Sequence, residues 1–205
     1  MKSQIRIVFL SAALAALALP VVAQNNDAGA NGQVNGQTIN QRKDNQQDRI
    51  ANGVQSGQLT TGETHNLENK ESKVNQEEHD MRKLDNGKLT ASDKATLTQQ
   101  QNKLSNQIYQ DKHNAPAQNP DPKSEVGQRA ENQQDRIAQG VKSGQLTPGE
   151  ASHLEGNEAR INREVRNDRA ANGGKLTGQE KAQVNHQQNR ESRQIYRAKH
   201  NGRVR

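Results

Sequence analysis

Four arginines, Arg160, Arg163, Arg166 and Arg169, recur every third residue, and Arg190, Arg193 and Arg197 continue the series further along the chain. Guanidinium forks at this density suit phosphate, sulfate and carboxylate groups, so the chemistry they offer is binding of a polyanion. Glu158, Glu164, Asp168 and Glu191 interleave with them, and at helical spacing the carboxylates read as solvated faces studded with ion pairs. Six histidines, at positions 65, 79, 113, 153, 186 and 200, form neither an HxxxH nor an HExxH pair. Glu63 with His65, or Glu150 with His153, offers at most a share of a zinc site between chains, and surface histidine is the simpler reading. No nucleophile–base–acid pattern is visible, and the few apolar residues leave little to wall a dry pocket, so the chain reads as non-enzymatic, with no cofactor.

Four short elements carry Leu-Thr followed three residues later by an acid: Thr60 with Glu63, Thr90 with Asp93, Thr147 with Glu150 and Thr177 with Glu180. Each also fits the second half of an EF-hand loop, but the first half has no carboxylate at the positions where calcium needs hard oxygen ligands. The reading that fits throughout is a capping box, in which the Thr oxygen and the carboxylate each satisfy an orphan backbone N–H at a helix start. Pro148 then occupies a first helical position, where its missing N–H costs nothing. The glycine ahead of each Leu suits the left-handed residue that ends the preceding helix. Each element therefore stops one helix and starts another, and so short a connection favours antiparallel neighbours.

The elements belong to a tandem repeat. NQQDRIA at 45–51 returns at 132–138, GQLT at 57–60 returns at 144–147, and KHN at 112–114 returns at 199–201, all at an offset of 87 residues. The expected fold is all-α, with two tandem three-helix units of antiparallel helices, at 37–114 and 124–205. Within them, helices are expected near 38–56, 61–86 and 91–113, then 124–143, 148–173 and 178–200. Residues 115–123 include three prolines and read as an extended linker, and 24–36, rich in Asn, Gly and Gln, as a disordered tail. Lys112-His113 and Lys199-His200 sit where cations favour a helix C-terminus.

Residues 1–23 combine Lys2 and Arg6, an apolar run from Ile7 to Leu19, and small residues before Gln24, which is the pattern of a cleaved signal peptide. The expected location is periplasmic or extracellular, without stable membrane insertion after cleavage. The chain of 205 residues has no cysteine, which excludes disulfides and thiol chemistry. After position 23, Ile, Leu, Val, Met and Tyr supply 26 of 182 residues against 48 Asn and Gln, so the core must be thin. Ile50, Val54, Leu59, Leu67, Val74, Leu89, Leu97, Ile108 and Tyr109 have apolar counterparts in the second unit, and Met81 and Leu84 extend the middle-helix stripe. About one large apolar residue per two turns predicts marginal stability, extended helical hairpins, or help from a partner or self-association. Net charge is −1 over 24–123 and +5 over 124–205, so the basicity belongs to the second unit.

At RIAxGVxSGQLTxGE, with NQIYQDKHN and RQIYRAKHN, the chain resembles a group of small exported bacterial proteins of unassigned activity. It is also similar to the periplasmic Spy/CpxP group, marked by LTxxQ, through Leu97-Thr98-Gln99-Gln100-Gln101. That resemblance implies a helical chaperone or sensor of the envelope. The leading expectation is chaperone-like or scaffolding contact with envelope proteins through the thin apolar stripes. The alternative is binding of lipopolysaccharide, acidic glycan or extracellular DNA through the second unit's arginines.

Overall fold

The computed structural model describes residues 37–114 and 123–203, so the expected leader, tail and most of the linker lie outside the described residues. The fold is all-α, with six helices: α1 Ile39–Gln55, α2 Thr61–Leu84, α3 Ala91–His113, α4 Glu125–Lys142, α5 Pro148–Ala171 and α6 Gly178–Lys199. The capping boxes form at all four expected places, with Thr60, Thr90, Thr147 and Thr177 each closing on the acid three residues on. Thr38 with Gln41 makes a fifth at the start of α1. The threonine hydrogen bonds hold the carboxyls of Asp93 and Glu180 below the usual carboxylate range, so both caps are charged at neutral pH. Gly57 and Gly144 take φ of 69° and 72°, the left-handed turn that lets α1 and α4 stop at once.

The main departure from expectation is how the two units meet. The most extensive pairing in the fold is α2 against α5, followed by α1 against α4, and both cross between repeats. Helices α2 and α5 run antiparallel, with His65 beside Ser152 and Gly156, and Ser72 beside Gly149. His65 and Ser152 are equivalent positions of the repeat, so an approximate twofold axis passes close to them. The same axis exchanges core residues: Ala138 of α4 packs with Ile50, Val54, Leu59, Leu67, Leu104 and Ile108, while Ala51 of α1 packs with Ile137, Val141, Leu146, Ala151, Leu154 and Ile195. Each thin unit thus packs against the other, and the result is one six-helix body.

Close approach inside each unit depends on a missing side chain. A Cβ at Gly53 would lie 2.7 Å from the Leu59 side chain, and one at Gly140 would lie 2.6 Å from that of Leu146. These glycines let the capping turn fold its leucine, fully buried in both repeats, back onto the helix it has just left.

Polar side chains complete the interior. Gln46 Nε2 donates to the Gln101 carbonyl at 2.6 Å, and Gln101 Nε2 donates to the Ile39 carbonyl at 2.9 Å. Gln133 and Gln188 repeat this at 2.8 Å and, toward the Val126 carbonyl, 2.9 Å. Gln47 Nε2 donates to Glu68 at 2.9 Å, as Gln134 Nε2 does to Glu155 at 3.0 Å. The high amide content is therefore partly structural, because buried amides that find partners substitute for apolar contacts in tying the helices together. The expected apolar stripe is shorter than its pattern: Leu84 is 84% exposed and Tyr196 60% exposed. Leu84 sits in the last turn of α2, past the packing, and the Tyr196 ring stacks on His200 at 4.2 Å instead of entering the core.

Candidate anion-binding face and buried carboxyls

The two arginine series are placed differently. On α5 a three-residue step turns about 300°, so each arginine lies roughly 60° from the last and the series winds around the helix. Arg160 lies toward α6, where its charge acts on Glu191, and Arg169 donates from Nη2 to Ser124 Oγ at 3.0 Å, at the start of α4. Arg163 and Arg166 between them are exposed. Thus α5 offers no single flat patch.

On α6 the geometry is one-sided. Positions 186, 190, 193, 197 and 200 alternate four- and three-residue steps and share one face, opposite the buried Val184, Gln188, Glu191 and Ile195. His186, Arg190, Arg193, Arg197 and His200 are all exposed along it, over ~21 Å of helix. The only acidic residues of α6 are Glu180, closed in its capping box, and Glu191, 3% exposed. The outer face therefore carries no carboxylate. Among the described residues, none of Arg160, Arg163, Arg166, Arg190, Arg193 and Arg197 is held in an ion pair. On α3 the matching residues are Gln99, Lys103, Asn106, Gln110 and His113.

Reading the carboxylates as solvated faces needs correction. Glu68, Glu71, Glu155 and Glu158 are fully buried, Glu191 is 3% exposed and Glu78 is 6% exposed. Glu158 and Glu191 therefore do not line the surface among the arginines as their place in the sequence suggests, and of these arginines Arg160 is the one whose charge acts on Glu191. Of the other two interleaved acids, Glu164 accepts hydrogen bonds from Gln183 and Gln187 of α6. A signal for the buried acids is present in the repeat: Glu68 and Glu155 follow Leu67 and Leu154, and each stands 21 residues after its glutamine partner.

Burial pushes Glu155 up to about 8, against the Gln134 hydrogen bond and helped by Glu191. Burial likewise pushes Glu191 up to about 7, opposed by Asn157 and Arg160. Glu158 is raised well above the usual range by burial and by the charges of Glu155 and Glu191.

The remaining candidates resolve locally. His65 Nδ1 lies 2.7 Å from the Ser152 carbonyl, and His113 and His200 turn Nδ1 to the carbonyls of Tyr109 and Tyr196 at 2.7 and 2.6 Å. Among the described residues no group of three or more His, Asp or Glu is arranged to hold a metal ion. The KHN strings tie each unit together: Asn201 donates to the Glu150 cap carboxylate at 2.6 Å, Asn114 donates likewise to Glu63, and Lys199 Nζ reaches the Arg136 carbonyl at 3.3 Å. Each asparagine thus reaches from the end of its unit's third helix to the start of the middle one; α3 ends on Asn114 itself, whereas α6 ends on His200. Comparison of the chain with protein-family models, with curated proteins and with solved structures finds no match.

Proposed function

We propose that the protein is a non-enzymatic interaction protein of the cell envelope or extracellular space that binds anionic polymers through the outer face of α6. The observation that carries this reading is the row of Arg190, Arg193 and Arg197, flanked by His186 and His200, on a face without a carboxylate. Successive side chains stand roughly one helical turn, ~5 Å, apart, a spacing suited to the closely spaced charges of a nucleic-acid strand, a sulfated glycan or clustered lipid phosphates. The exposed arginines of α5 widen the positive field without adding a second face. What supports the location is the leader pattern of residues 1–23.

The test is retention on heparin and on duplex DNA. Replacing Arg190, Arg193 and Arg197 together by Gln is expected to lower the salt needed for heparin elution sharply. It should also lower the slope of log K against log salt on DNA by about 2–3, as loss of three phosphate contacts requires. Undiminished retention by the triple variant would overturn the reading.

Chaperone-like or scaffolding contact is the second proposal. In its favour stand the LTxxQ resemblance at 97–101 and the exposed Leu84 at the tip of α2. The stripes on which it would draw are buried in the six-helix body, so client binding through them requires the body to part. Suppression of client aggregation by the intact chain at moderate salt is its test.

A further inference from the structure

Glu155 and Glu158 of α5 and Glu191 of α6 form a group of carboxyls inside the second unit, and neither oxygen of Glu158 has a hydrogen-bond partner among the described residues. One oxygen of Glu155 and one of Glu191 are likewise unpartnered. We propose that this trio is a proton-operated latch: the second unit closes around the three groups in their neutral form, and their deprotonation loosens α6 from α5.

The surroundings of the trio favour the proton. From α4 the facing group is the Gln134 amide, while Arg129 and Arg136 of the same helix donate instead to Asn189 and to the Ser192 carbonyl of α6. On α5 itself Arg160 is the cation that acts, and it acts on Glu191. Helix α2, packed against α5, brings two further buried carboxyls, Glu68 and Glu71, and the His65 imidazole, which turns Nδ1 to the Ser152 carbonyl. An ionised Glu158 would therefore stand in the interior beside two more acids, with Ile161 and Leu154 buried on the same helix. The first unit lacks the device, because Leu104 occupies the place of Glu191.

The direction of the pH effect follows from the raised affinities. All three groups bind protons more tightly in the fold than in the unfolded chain, where a glutamate loses its proton near pH 4.5. Between that pH and about 7–8 the fold holds protons that the unfolded chain has released, so stability is greatest on the acid side and falls as pH rises through this window. Loosening α6 would bare the cluster of Val126, Ile161, Val165 and Val184 beneath it.

Thermal melting of the full chain at pH 5, 6.5 and 8, at fixed ionic strength, tests the latch. The melting temperature is expected to fall by at least ~5 °C from pH 5 to pH 8. Glu158→Gln and Glu191→Leu, the second importing the first unit's residue, should each remove a third or more of that fall. The slope with pH is the readout, since a buried amide or a new Leu can change absolute stability. In the unaltered chain, amide exchange corrected for intrinsic rates should show α6 losing protection at least ~10-fold more than α3 between pH 5 and 8. A flat or rising melting temperature, an undiminished fall in both variants, or equal loss of protection in α3 and α6 would overturn the proposal. So would calcium or zinc that stabilises the chain at pH 8 but leaves Glu158→Gln unaffected, because the trio would then hold a metal cation.

Discussion

The two repeats share a backbone plan and differ in where they place charge. Toward the far end of the first unit Glu78 is buried between Lys43 at 3.3 Å and Arg82 at 2.8 Å. The same places in the second unit hold Val165, Ala130 and Arg169, and there Val126, Ile161, Val165 and Val184 make an apolar cluster. One level inward the pattern inverts, with Leu104 in the first unit and Glu191 in the second. Outside, α6 presents its arginine row where α3 presents mostly amides. Elements common to both units, namely the four Thr–acid capping boxes, the Gln46/Gln133 and Gln47/Gln134 bonds and the glycine–leucine contacts, therefore specify the scaffold. At Glu78/Val165 and Lys43/Ala130 the scaffold accepts either an ion pair or an apolar contact.

The largest effects should come from breaking what the repeats share. Leu59→Ala and Leu146→Ala each remove a fully buried side chain and are expected to cost about 2–5 kcal/mol. The two losses should agree within ~1 kcal/mol in denaturant titrations. A large inequality would show that the twofold relation does not extend to the energetics.

Exchanging what differs should matter less. Glu78→Val alone leaves Lys43, whose side chain is 20% exposed, without its acid, and is expected to cost ~1–3 kcal/mol. Adding Lys43→Ala completes the second unit's solution and should restore stability to the original value or above it, since a well-packed apolar pair often matches a partly buried ion pair. A double variant as unstable as the single one would mean that the surrounding shape, and not charge alone, is adapted to the pair.

The smallest change in stability, within ~0.5 kcal/mol, is expected for Asn106→Arg with Gln110→Arg on exposed α3. Beside Lys103 these would recreate the α6 row, and the variant should elute from heparin at higher salt than the original chain. No gain would place the origin of retention in the combined field of α5 and α6 instead of in a single helix face.

The sequence by itself determined the helices and their ends. A threonine followed three residues later by an acid, a glycine before it and a strict 87-residue echo are local signals, and local hydrogen bonding makes them sufficient. It also placed the excess basic charge in the second unit. What it could not determine was which polar residues turn inward. Glu68, Glu71, Glu155 and Glu158 fall at spacings that serve an exposed ion-pair ladder equally well, and burial is decided by what packs over a residue rather than by its neighbours in the chain. The packing of α2 on α5 and α1 on α4 across the twofold axis supplied that cover, because two thin stripes bury far more together than either can alone. Tertiary structure also set the two arginine series apart by their surroundings, turning Arg160 toward Glu191 and Arg169 to Ser124 while Arg190, Arg193 and Arg197 stay exposed, and the spacing reinforces this. A three-residue step winds around α5, while alternating steps of four and three, joined by histidines at 186 and 200, keep to one side of α6.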